Sequence, residues 1–174
     1  MRFLAAIGFI AIIAAIVAGI YFFAGFYSVA GTAEDPGIVT WALVQVRKAS
    51  IERHATDTPP GSLNDPTVVQ TGARAFAARG CISCHGAPGA DWAKFSEGMN
   101  PGPADLKEIA GERPPAQIFW VVKNGIRMTG MPGFGGIGVD DAEIWAITAF
   151  VKKLPIVSES DFKAWNAGVA KSGG

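Results

Sequence analysis

Gly80-Cys81-Ile82-Ser83-Cys84-His85-Gly86 is the stretch that decides how this chain is read. It holds both cysteines of the 174-residue sequence and one of its two histidines. A C-x-x-C-H run places two thiols where they can form thioether bonds to the two vinyl groups of one haem, with the adjacent imidazole set to ligate the iron. Covalent attachment of a single haem is the leading reading. Its rivals are weaker on chemical grounds. A structural zinc site needs four ligands, and the other histidine, His54, lies far upstream. A thioredoxin-like C-x-x-C belongs near a βαβ pattern, whereas the flanking chain reads as helices separated by Gly/Pro-rich loops. A disulfide between cysteines this close would shut only a tiny loop and leave His85 without a role.

A haem iron ligated on one face by histidine takes a methionine thioether on the other in many electron carriers. Downstream runs Asn124-Gly125-Ile126-Arg127-Met128-Thr129-Gly130-Met131-Pro132-Gly133-Phe134-Gly135. Pro132 fixes its own φ and biases Met131 toward an extended conformation, so a thioether there projects from a defined loop. Met128, as a gap-filling methionine, and Met99, in a polar loop nearer the cysteines, are the other candidates.

C-x-x-C-H followed some tens of residues later by G-M-P-x-F resembles a class I cytochrome c domain, and the likeness covers roughly residues 65 to 155. The resemblance implies a mainly α fold, with three to five helices around one covalently bound haem c. It implies Cys81, Cys84 and His85 as attachment and ligand residues, and Met131, the methionine immediately before the proline, as second axial ligand; Met128 and Met99 stay open as alternatives. In that family a proline carbonyl accepts a hydrogen bond from the proximal histidine, which orients the imidazole and raises its basicity. Pro103, in Met99-Asn100-Pro101-Gly102-Pro103-Ala104-Asp105-Leu106, fits that role, with Pro101 as the alternative. Trp92, Phe95, Trp120 and Phe134 are candidate pocket walls, and Phe134 is the one selected. The family packs its first and last helices through a glycine and an aromatic on one and an aliphatic and an aromatic on the other. Gly72, Phe76, Ile147 and Phe150 match these positions.

Local signals place three helices around these motifs. Asp65 is an N-cap with Pro66 at the first helical position, and Gly80 ends the helix that enters Cys81. Pro114 and Pro115 open a second helix, which Asn124-Gly125 stops. Asp140 and Glu143 form a capping box, with Val139 and Ile144 as a hydrophobic staple, for a third helix that runs to Lys152 and Lys153 before Pro155. Ser158 and Phe162 point to a short docked helix in the tail, residues 158–174.

The N-terminus sets the compartment. Phe3 to Phe26 carry no charge, long enough to cross a hydrocarbon core of about 30 Å, so residues 1–27 read as a transmembrane anchor contacting the membrane through residues 3–26. Ser28-Val29-Ala30 offers cleavage-like spacing, but the apolar run exceeds the roughly 7 to 15 residues of a signal-peptide core. Arg2 before the span and Glu34 and Asp35 after it give an N-in orientation, which Arg47 and Lys48 dilute. The family resemblance adds that c-type haem is attached on the periplasmic side of bacterial inner membranes, implying a single-pass protein with its haem domain in the periplasm. Residues 28–64 then form a juxtamembrane segment: an amphipathic helix over Ile38 to Ala55 and a hinge at Thr56 to Asn64, ahead of a domain at 65–157.

Formal net charge is zero, with both signs interspersed, and no basic stripe argues for nucleic acid. There is no phosphate loop and no nucleophile beside an orienting histidine. These features, with the resemblance, point away from an enzyme and toward outer-sphere transfer of single electrons. The expected partners are redox proteins such as a quinol-oxidising complex and a terminal oxidase or dehydrogenase. Two settings fit: a tethered shuttle, or a fixed cytochrome subunit of a larger membrane complex. Lys123, Arg127, Lys152 and Lys153 form a candidate docking patch.

Overall fold

The computed structural model describes residues 2–168, and these form two compact units that divide between Asp35 and Pro36. The first unit is built on α1 (Arg2–Phe23), whose 22 residues extend about 33 Å at 1.5 Å per residue. Its side chains are uncharged beyond Arg2 and lie exposed, and it is long and apolar enough to span a membrane. After it the chain turns at Gly25 (φ +81°), sets the Tyr27 ring 5.0 Å from that of Phe22, and ties the Tyr27 hydroxyl to the Asp35 carboxylate.

The second unit begins with α2 (Gly37–His54). A helix is present where the sequence indicates one, but it is not one-faced. Apolar residues at 38, 39, 41 to 44 and 46 occupy every phase of the 3.6-residue period, and Ile38, Trp41, Leu43 and Val46 are all exposed. Polarity is instead divided along the axis: uncharged through Val46, then Arg47, Lys48, Glu52, Arg53 and His54. At that charged end His54 Nδ1 donates to the Ser50 carbonyl (2.7 Å), and its ring stacks at 6.0 Å on Trp120. Thr56 to Asn64 is non-helical.

The rest of the unit is α3 (Pro66–Ala78), α4 (Ile82–His85), α5 (Leu106–Glu112), α6 (Pro115–Asn124), α7 (Asp141–Lys153) and α8 (Glu159–Asn166), with short 3-10 turns between. Among the described residues there are eight α-helices and no strand, only an isolated bridge between Ala87 and Ala90. Caps set the boundaries. The Asp65 carboxylate accepts from the Thr67 amide (2.8 Å), and the Asp140 carboxylate accepts from that of Glu143 (2.8 Å). The second half of the Asp140–Glu143 box is diverted, because the Glu143 carboxylate receives two hydrogen bonds from Arg79, at 2.7 and 3.0 Å. An ion pair between helices has replaced a local cap.

The core is organised on α7, buried continuously from Ile144 to Val151. α3 crosses it at Gly72, where a Cβ would fall 1.8 Å from the Ala146 carbonyl oxygen, so only glycine permits this approach. Around the crossing Phe76 meets Phe150 (5.2 Å between centroids), Phe150 meets Phe162 of α8 (5.6 Å), and Phe119 of α6 stacks on Trp145 (4.1 Å). α5, which sequence signals did not reveal, packs against α7 and the turn that follows it. Lys152 holds its C-terminus by donating to the carbonyls of Ala110 and Arg113, the latter at 3.1 Å. Lys123 pairs with Asp141 at 2.8 Å. Two of the four cations assigned to a docking patch are thus engaged within the domain.

Gly72→Ala is expected to lower domain stability by about 1–3 kcal/mol or more, since the added methyl forces the α3 and α7 backbones apart. Gly111→Ala, in α5 with open space around it, is expected to change stability by no more than about 1 kcal/mol, in the stabilising direction. Denaturant titration of the two variants checks this; equal losses would remove the crossing from its controlling position.

Candidate haem site

The end of α3 delivers the C-x-x-C-H turn. Arg79 caps the helix by donating its amide to the Ala75 carbonyl (2.8 Å), Gly80 takes φ +74°, and the Cys81 amide returns to the Phe76 carbonyl at 3.2 Å. The chain re-enters a helix at once. The amides of Cys84 and His85 donate to the Cys81 carbonyl at 3.2 and 2.9 Å, so both thiols and the imidazole lie on one turn. Both cysteines are free thiols and half-buried. Burial pushes the Cys81 thiol up to about 12, which leaves it protonated at neutral pH.

His85 Nδ1 lies 3.0 Å from the Ala104 carbonyl oxygen. A carbonyl only accepts, so Nδ1 carries the hydrogen and Nε2 keeps its lone pair for a metal. Burial pushes the His85 pKa down, opposed by the Ala104 carbonyl, and the ring is neutral at pH 7. The sequence assigned this acceptor role to Pro103, with Pro101 as alternative; the structure moves it to the residue after Pro103. Asp105 explains the shift: its carboxylate caps α5 by accepting from the amides of Lys107 (2.8 Å) and Glu108 (3.4 Å), which fixes the peptide just before the helix. Pro103 lines the adjoining cavity instead, a space of about 430 Å³ also walled by Cys84, His85, Trp92, Leu106 and Leu154.

Two contacts that the sequence did not reveal brace the loop leaving this turn. The Ser83 carbonyl accepts from the buried Ser96 hydroxyl (2.6 Å) and from the Ala93 amide (2.9 Å). Nothing in residue spacing signals such a pairing.

On the methionine loop, Thr129 makes a knot. Its hydroxyl donates to the Ile126 carbonyl (2.8 Å) and accepts from the Met131 amide (3.1 Å), while the Ile126 amide donates to the Met131 carbonyl (3.2 Å). Met131 is half-buried against the core, whereas Met128 sits at φ +60° with 91% of its surface exposed. Met99 reaches this loop from the other side, its terminal methyl lying over Gly130. Phe134 is buried in the core, its amide bonded to the Val122 carbonyl (3.0 Å). Neither Met131 nor Phe134 lines the cavity beside His85.

Donor chemistry and shape at the first motif fit a haem c. Two unpaired thiols flank a neutral imidazole whose Nε2 is left free by the Ala104 contact, and a largely hydrocarbon-walled space adjoins it. No curated protein and no solved structure matches the chain. Residues 67–151 match the family model described as Cytochrome C oxidase, cbb3-type, subunit III; the segment from α3 through most of α7 is therefore a cytochrome c domain, a family that implies haem c and suggests a role in electron transfer.

Proposed function

We propose that this chain is a monohaem c-type cytochrome that carries single electrons on the periplasmic face of a bacterial inner membrane, held there by α1. The observation that supports it most is the single turn bearing Cys81, Cys84 and His85, with the imidazole hydrogen committed to Ala104. Cys81 and Cys84 would hold the haem by thioether bonds to its two vinyl groups, each thiol hydrogen going to the neighbouring vinyl carbon. Haem, when bound, supplies the Fe(II)/Fe(III) couple. His85 Nε2 and the Met131 thioether would be its iron ligands. Met131 is preferred to Met128 because the Thr129 knot fixes its backbone and its side chain faces the domain, while Met128 faces solvent. Ligation by both residues would favour electron transfer over substrate binding, and a thioether ligand would raise the potential.

Of the two settings, the family match favours a fixed subunit of a respiratory oxidase complex over a free shuttle. The helical α2 agrees, since a shuttle is better served by a flexible tether and α2 carries exposed apolar residues that water does not favour.

Acid-acetone is expected to leave the pigment on the wild-type chain and to strip it from Cys81→Ser/Cys84→Ser, read by haem staining of a denaturing gel. Met131→Ala is expected to abolish the sulfur-to-iron charge-transfer band of the oxidised protein and to lower its midpoint potential, with Met128→Ala unchanged in both; the reverse pattern would exchange the two roles. After mild detergent extraction and size exclusion, the haem-stained chain is expected to co-elute with oxidase activity, whereas a lone small haem protein would return the shuttle.

A further inference from the structure

The structure assigns to Met99 the role of a strut that restrains the methionine loop at Gly130, an inference that rests on Met131 being the axial ligand. Met99 belongs to the loop that leaves His85 and returns at Ala104, and its amide is tied to the Ser96 carbonyl (3.2 Å) at the end of a 3-10 turn. Its half-buried side chain crosses to Gly130, one residue before Met131. A Cβ on residue 130 would fall 1.8 Å from the Met99 methyl and 3.5 Å from its sulfur, so the side chain occupies the space that glycine leaves. The loop that holds the imidazole acceptor therefore leans on the loop that carries the thioether.

Elsewhere the methionine loop is fixed by backbone. Cβ atoms at Gly125 and Gly133 would fall 2.7 Å from the Met131 and Asn124 carbonyls, respectively. The Thr129 knot closes it within itself. Backbone pins the loop at Gly125 and Gly133, whereas at Gly130 the neighbouring group is the Met99 side chain. A flexible, polarisable methionine suits such an irregular gap. Removing its bulk leaves the sulfur–iron bond intact but lets the loop open more often, and an external ligand binds in proportion to the open fraction.

The test is titration of the oxidised, haem-loaded full chain with imidazole, which displaces the thioether, alongside denaturant unfolding. Met99→Ala is expected to bind imidazole about tenfold more tightly, with the charge-transfer band retained in the absence of imidazole. Met99→Leu, which restores bulk without sulfur, is expected to return the affinity to within about twofold of wild type. Gly130→Ala, which evicts the Met99 methyl, is expected to behave like Met99→Ala. Unchanged imidazole affinity in Met99→Ala overturns the assignment, as does a loss of global stability that accounts for the whole change. Loss of the band in Met99→Leu with retention in Met131→Ala is the distinguishable failure of the axial-ligand reading itself, because it would make Met99 the ligand.

Discussion

The approach of α3 to α7 at Gly72 is the constraint on which the domain is built. With no side chain at that point, two backbones meet through the Ala146 carbonyl, and Phe76, Phe150 and Phe162 close around the contact. α3 ends at Arg79 and Gly80 immediately before Cys81, so the crossing fixes where the C-x-x-C-H turn begins. From the same α7, Trp145 stacks on Phe119 and positions α6, which ends in the Asn124-Gly125 stop ahead of the methionine loop. The C-x-x-C-H turn and the methionine loop both hang from one helix. The burial that keeps α7 dry also pushes the His85 ring toward its neutral, ligand-competent form, because the turn carrying it is packed close to the core.

Local chemistry in the sequence was enough to locate most of this. Caps at Asp65, Asp140 and Ser158, prolines at 66 and 115, and the glycines at 80 and 125 act within one or two turns, so their meaning survives without tertiary information. The helix pair marked by Gly72, Phe76, Ile147 and Phe150 was legible through family likeness and is buried as that likeness implies. What stayed hidden depends on contacts between distant residues. Leu106–Glu112 is too short for a periodicity signal, and its ends are set by Asp105 and by Lys152 from another helix. Glu143 had a nearby amide to accept from by pattern, yet a guanidinium from α3 offered two charge-assisted bonds. The imidazole acceptor was displaced by one residue for the same reason: Asp105 decides which peptide is presented, and the family pattern of prolines does not.

α2 illustrates a different limit. Hydrophobic residues were counted correctly, but a count over 18 residues does not separate a stripe from a gradient. The charged end is docked through His54 on Trp120, while the uncharged end carries bare Ile38, Trp41 and Leu43. A connector of this kind is partly an extension of the domain and partly a surface awaiting cover, consistent with a protein that works inside an assembly.

Lys152 has a consequence for the order in which the molecule becomes complete. It stands well beyond both haem motifs in the chain, yet it grips the final carbonyls of α5, whose opening residues hold the acceptor for His85. During synthesis the cysteines emerge first and the methionine next, and the imidazole's support is finished only once residue 152 has followed them. Loss of the Lys152 ammonium would therefore loosen α5 and, through it, the peptide that fixes the imidazole tautomer, although the two stand far apart in sequence.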